Sequence, residues 1–216
     1  MSTFDLIDHQ IEAYCEAHTT PEDNLLYQLY RETNLKVLNP RMLSGQMQGL
    51  FLSLISKMIQ PKFILEVGTY TGYSALRLAE GLRNDGELHT IEIDIEKEDI
   101  IRKYWSQSPL NHKINLHLGN ANQLIEQLDY SWDLVFIDAD KEDYDHYYEA
   151  VLPKVRKGGF LLVDNVLWNG KVIQDIVHND KDTLAITAFN DKVQKDPRVR
   201  NLLLPFRDGI MMIEKL

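Results

Sequence analysis

The sequence predicts an α/β fold: a mostly parallel sheet with helices on both faces, an antiparallel pair at its end and a helical cap in front. Three observations point there. From Lys62 onward, short apolar runs at 63–67, 88–93, 114–118, 134–137 and 160–163 alternate with stretches of helical length, the rhythm of βαβ units. Two later runs, 199–204 and 210–213, are separated only by Pro205, Phe206, Arg207, Asp208 and Gly209, a hairpin-length connection. The first sixty residues instead carry their apolar positions at helical spacing.

Taken in order, the first helix is expected over 4–18 and the second over 25–38, after a Pro21 suited to a helix start. A third covers 45–59. Each of the five apolar runs that follow is short enough for a buried strand, and the final pair closes the sheet antiparallel. At 216 residues and 44% hydrophobic, the chain can close one large core but not two. We therefore expect one domain over 1–216, with 1–60 as the helical cap and 61–216 as the α/β core. There is no internal repeat and no low-complexity tract.

The formal charge of −10 argues against nucleic acid as a partner, because that binding needs clustered Lys and Arg to neutralise phosphates. The single cysteine, Cys15, excludes an intrachain disulfide and fits a reducing compartment as a structural thiol. No stretch has the basic and apolar pattern of a signal peptide, and none approaches the roughly 20 apolar residues of a membrane span. A cytoplasmic protein that does not engage membranes is the expectation.

Chemistry concentrates at strand ends. Asp138 finishes the run 134–137, and Asp164-Asn165 finish the run 160–163. Adjacent strands lie about 4.8 Å apart, so hard oxygen ligands at neighbouring tips can converge on a divalent cation of the Mg²⁺ or Ca²⁺ type. Between the first strand and its helix lies Glu66-Val67-Gly68-Thr69-Tyr70-Thr71-Gly72-Tyr73-Ser74, where a doubly wound fold binds its nucleotide. The spacing is G-x-x-x-G rather than the dinucleotide G-x-G-x-x-G, and an acid two residues before the first glycine would repel a pyrophosphate and attract an ammonium or sulfonium. S-adenosylmethionine (SAM) carries both cations. Glu92 ends the next strand about 20 residues on, where such folds hydrogen-bond a ribose; Asp94 is the reserve for that role.

The stretches 64–75, 136–144 and 164–172 resemble the metal-dependent, SAM-dependent O-methyltransferases, the family that includes the caffeoyl-CoA and catechol enzymes. Asp-Asn-Val-Leu-Trp-Asn-Gly-Lys-Val at 164–172 and Ile-Asp-Ala-Asp-Lys-Glu-Asp-Tyr-Asp-His-Tyr-Tyr at 137–148 carry the likeness most specifically. The resemblance implies a Rossmann-like sheet of seven strands, the last of them antiparallel. It implies Asp138, Asp164 and Asn165 as ligands of a divalent metal, with Mg²⁺ ahead of Ca²⁺ or Mn²⁺. Glu66, Gly68 and Ser74 would hold the methionine end of SAM, with Tyr70 and Tyr73 of the same loop beside it and Asp138 close by. Glu92 would take the ribose hydroxyls, Ala121 would sit by the adenine, and Met42 and Leu43 would lie over the cofactor. The residues at 172–188 do not match the plant CoA-ester enzymes, and family members are commonly homodimers.

A neutral phenol is a poor nucleophile towards a sulfonium, and a cation bound to its oxygen lowers the hydroxyl's pKa. A second, vicinal oxygen would chelate the same ion and fix the geometry, so a catechol-like acceptor or its ester follows. Lys141 corresponds to the family's proposed general base, and the charged form of a lysine is disfavoured beside a dication. Asp138 shares the catalytic centre with it, and Asp140 is placed to cap the helix that follows. Trp168 either walls the substrate or packs beneath its loop, and the acceptor pocket is expected to be lined by the N-terminal helices, the Trp168 loop and the segment near Arg207-Asp208. Two alternatives stay open at this point: a metal-independent SAM methyltransferase with another acceptor, and a non-catalytic SAM-binding protein.

Overall fold

The computed structural model describes residues 8–175 and 179–216. Positions 4–7 of the first expected helix and 176–178 of the stretch 172–188 lie outside the described residues. The chain opens with α1 (His9–Ala17) and forms two compact units, one of His18–Leu128 and one of Asp129–Leu216 together with the segment through Ala17.

The unit His18–Leu128 contains α2 (Asn24–Lys36), α3 (Gly45–Ile59), β1 (Phe63–Val67), α4 (Tyr73–Ala79), β2 (Glu87–Glu92), α5 (Glu98–Trp105), β3 (Ile114–Leu118) and α6 (Ala121–Gln127). β1, β2 and β3 run parallel, with Glu66 opposite Thr90 and Glu92 opposite Leu118. α2 starts at Asn24, one residue before the expected 25, where the Asp23 side chain accepts the Leu26 N–H at 2.9 Å and so supplies the cap. α3 packs closely on α4: the Ser56 hydroxyl donates to the Leu78 carbonyl at 2.6 Å, and a Cβ on Gly81 would lie 2.2 Å from the Ser56 backbone.

The unit Asp129–Leu216 contains β4 (Trp132–Ile137), α7 (Tyr144–Val151), β5 (Val155–Asp164), α8 (Lys181–Lys195), β6 (Val199–Leu204) and β7 (Ile210–Lys215). β4 and β5 are parallel, whereas β7 is antiparallel to both β5 and β6. β4 and β5 both begin earlier than their apolar runs suggest. Asp133 interrupts the pattern but is buried with its carboxylate 2.5 Å from the Arg156 Nε, and Val155 pairs with Trp132 across a register irregularity. The strand order is 3-2-1-4-5-7-6, a seven-stranded mixed sheet. Among the described residues no helix is long and apolar enough to cross a membrane.

Candidate active site

Except for Asp138, the expected cofactor residues fall in the unit His18–Leu128, most of them around the C-terminal ends of its three strands and Met42 and Leu43 just before α3. The loop after β1 is clipped to β2 by the Gly68 and Thr69 N–H groups, which donate to the Ile91 carbonyl at 3.0 and 3.1 Å. Tyr70 has φ +52° and points its N–H at Glu92 Oε2, 2.7 Å away, while its hydroxyl reaches the Leu38 and Asn39 carbonyls at 2.9 and 3.2 Å. The turn closes at Gly72, φ +86°, whose carbonyl accepts the Trp105 indole N–H at 3.0 Å. A Cβ there would lie 2.4 Å from that indole nitrogen, so only glycine fits without displacing Trp105.

Glu92 sits at the centre of this arrangement. Its second oxygen accepts the Asp94 N–H at 2.9 Å, and its backbone carbonyl accepts the Gly119 N–H at 2.8 Å, which draws the β3 end and Ala121 alongside. Burial pushes the Glu92 carboxyl above the usual range against the pull of the Asp94 and Tyr70 N–H groups. Asp94, the reserve, turns away to cap the Glu96 N–H at 2.9 Å and pair with Lys97 at 2.5 Å. Glu66 is fully buried and accepts the Thr90 hydroxyl at 2.5 Å, with Thr69 next in the chain at 2.6 Å. Ser74 and Leu43 are buried and Met42 is exposed; Tyr73 is buried with its hydroxyl on Glu22 at 2.6 Å. In donor chemistry the set suits SAM: carboxylates for an ammonium and a diol, and glycines with positive φ at 68 and 72 for close approach.

The expected metal and acceptor residues fall in the other unit. Lys141 places its Nζ 3.1 Å from Asp138 Oδ1, with side-chain exposures of only 12% and 20%. Asp140 caps as anticipated, accepting the Glu142 N–H at 3.2 Å before the short turn Lys141–Asp143 that leads into α7. Asp164 is buried at the end of β5, and its Oδ1 accepts the N–H of Asn165, where φ of +58° turns the chain out of the sheet. The loop that follows is fastened to the β6–β7 hairpin: Leu167 donates to the Asp208 carbonyl at 2.9 Å, and the Asn169 N–H donates to the Asp208 carboxylate. Trp168, φ +48°, lies with the Lys171 ammonium 5.9 Å from its ring centroid.

Two further residues join this cluster: Tyr144, for which no role was expected, and Asp208, expected only as part of the segment lining the acceptor side. Tyr144 is fully buried and donates its hydroxyl to the Asp164 carbonyl at 2.8 Å. Burial first, then Asp138, Asp164 and Asp208, push that hydroxyl well above the usual tyrosine range. Asp208 is itself pushed up by burial and by Asp138, against the Asn169 N–H, Lys141 and Arg207. The cluster thus gathers three carboxylates around one tyrosine. Among the described residues no group of three or more His, Cys, Asp or Glu side chains is arranged to hold a metal. The expected ligand set has two carboxylates and an amide oxygen, hard donors of the kind Mg²⁺ and Ca²⁺ take, and the surplus of negative charge suits a dication.

Residues 16–216 match the O-methyltransferase family. A probable caffeoyl-CoA O-methyltransferase 2 of Dictyostelium discoideum is 32% identical over 97% of this chain and 93% of its own length. The catechol O-methyltransferase domain-containing protein 1 of Mus musculus is 37% identical over 78% of this chain and 66% of its own. Among solved structures, the O-methyltransferase from Bacillus cereus in complex with SAH superposes with a TM-score of 0.87 at 30% identity, covering 96% of this chain and 97% of that one.

Proposed function

Because the chain belongs to the O-methyltransferase family and is a SAM-dependent O-methyltransferase, we propose that it methylates one hydroxyl of a catechol-like small molecule with a divalent cation bound at Asp138, Asp164 and Asn165. The observation that carries this reading is the Lys141–Asp138 pair, held at 3.1 Å with little solvent access, in a cluster that also contains Asp164 and Asp208. A metal-free enzyme has no evident use for so many carboxylates around one lysine. The names of the two relatives, a probable caffeoyl-CoA enzyme and a catechol O-methyltransferase domain protein, support a vicinal dihydroxy aromatic acceptor.

A bound cation would supply charge to acidify the acceptor hydroxyl and to orient its vicinal partner. Glu92 would hold the ribose of SAM through its buried carboxylate, and Gly68, with positive φ and no side chain, would leave room for the methionine end. Asp138 aligns Lys141, which in its free-amine form takes the proton of the reacting hydroxyl on Nζ. SAM, when bound, would supply the methyl group to that deprotonated oxygen and leave as S-adenosylhomocysteine, the electron pair of the broken methyl–sulfur bond staying on sulfur.

The same unit has an open cavity of about 650 Å³ lined by Glu142, Lys171, Asn179, Asp180, Lys181 and Asp182. Both ammonium groups there already face carboxylates, Lys171 with Asp180 at 2.7 Å and Lys181 with Glu142 at 3.7 Å. An acceptor entering through this cavity would meet a lining of net negative charge, which suits a small catechol better than an ester carrying several phosphates. Labelled SAM offered to catechol, caffeate and a caffeoyl thioester, with Mg²⁺ and with excess EDTA, tests the reading. Turnover that vanishes in EDTA and returns with metal is expected; turnover unchanged by EDTA removes the assigned role of Asp138, Asp164 and Asn165.

A further inference from the structure

We propose that Tyr144 is a positioning residue for this site, holding the Asp164-Asn165 strand end and the Lys141 side chain in one arrangement; the assignment rests on the metal-dependent reading above. Three contacts carry it. The hydroxyl donates to the carbonyl of Asp164 at 2.8 Å, the residue that with its neighbour Asn165 supplies two of the three proposed ligand groups. The face of the ring lies 5.1 Å from the Lys141 Nζ, within cation–π range. The ring also packs edge-on against Phe189 of α8 at 5.7 Å, so a side chain locked by the core reaches both chemical groups.

One turn along α7, Tyr148 makes a natural control. It is equally buried and packs edge-on against the same Phe189 at 5.9 Å, but its hydroxyl goes to Asp196 at 2.8 Å instead of to the strand end. The two tyrosines therefore share their packing and differ in what the hydroxyl holds. Partners one step behind a metal ligand commonly tune affinity by 10- to 100-fold.

The test compares wild type, Tyr144→Phe and Tyr148→Phe as full-length proteins, reading Mn²⁺ affinity by electron paramagnetic resonance, SAH affinity by calorimetry, and Tm. Each variant removes one buried oxygen and keeps the ring, so comparable shifts in Tm are expected. Tyr144→Phe should weaken Mn²⁺ binding about tenfold and leave SAH affinity unchanged, while Tyr148→Phe leaves both unchanged. Equal Mn²⁺ affinity in Tyr144→Phe and wild type overturns the assignment, as does an equal loss in both variants, which would mark general loosening of α7. A wild-type protein that binds no Mn²⁺ overturns the metal-dependent reading itself, and this assignment with it.

Discussion

Glu92→Gln separates cofactor recognition from folding. The wild-type carboxylate is 7% exposed and receives the Tyr70 N–H at 2.7 Å and the Asp94 N–H at 2.9 Å. The amide keeps one acceptor oxygen and turns the other into a donor, so one of those two N–H groups loses its partner, at about 1 to 3 kcal/mol. Against that, a buried carboxyl that burial had pushed above its ordinary range no longer has to ionise. The two effects oppose, and stability should change by no more than about 1 kcal/mol.

Affinity for the nucleoside has no such offset. A hydrogen bond from a ribose hydroxyl to an ionised carboxylate contributes about 1.5 to 3 kcal/mol, roughly 10- to 150-fold in Kd. Calorimetric titration with SAH beside urea unfolding gives both readouts on the same protein. Because the folded Glu92 binds its proton more tightly than the unfolded one, its contribution favours the fold in acid and is lost as pH rises through the folded pKa. Glu92→Gln should accordingly gain stability relative to wild type on going from acid to neutral pH. SAH affinity within threefold of wild type, or a loss that merely follows unfolding, would refute the ribose assignment.

Three other outcomes are expected. Gly72→Ala must place a Cβ 2.4 Å from the Trp105 indole nitrogen at φ +86°, which should cost about 3 kcal/mol and lower Tm by about 6 to 12 °C; a Tm within 2 °C of wild type would show that the turn relaxes freely. Lys141→Arg keeps a cationic side chain beside Asp138 but one that does not give up its proton to become a base, so kcat should fall by about 10²-fold or more with SAH affinity unchanged, measured by steady-state kinetics and calorimetry. The buried His89 has its Nδ1 2.9 Å from His117 Nε2, and burial lowers both pKa values. Their folded forms resist protonation, so the stability they contribute is present above about pH 6.5 and is lost as pH falls below it; urea midpoints that do not decline between pH 7.5 and 5.5 more steeply in wild type than in His117→Gln would contradict this.

The parts of the fold legible in the sequence are those where one local signal sufficed. β1, β3 and β6 are short, mainly apolar runs of strand length followed directly by glycine or proline, and α3 is a helical stripe; all four fall at the expected boundaries. The beginnings of β4 and β5 are hidden because Asp133 and Arg156 read as surface residues, and only their mutual pairing makes them strand residues. The acidic positions at the strand ends stand out in the sequence as a class, but a carboxylate there is often a helix cap, and only the structure separates the buried Glu66, Glu92 and Asp164 from the caps Asp94 and Asp140.

What remained illegible depends on distance along the chain. The hairpin before β7 is plain in the sequence, but not the strand to which it adds. Once Ile210 pairs with Asp164, the turn carrying Asp208 must fall beside the end of β5, and Asp208 joins the acidic cluster through that register alone. Tyr144 makes the complementary point. Positions 144 and 148 lie one helical turn apart, are equally buried and meet the same Phe189, so any periodicity assigns both to the core. The difference lies in where each hydroxyl ends, one on the carbonyl of Asp164 and the other on the carboxylate of Asp196. A role of this kind belongs to a pair of residues, and burial patterns read one residue at a time cannot express it.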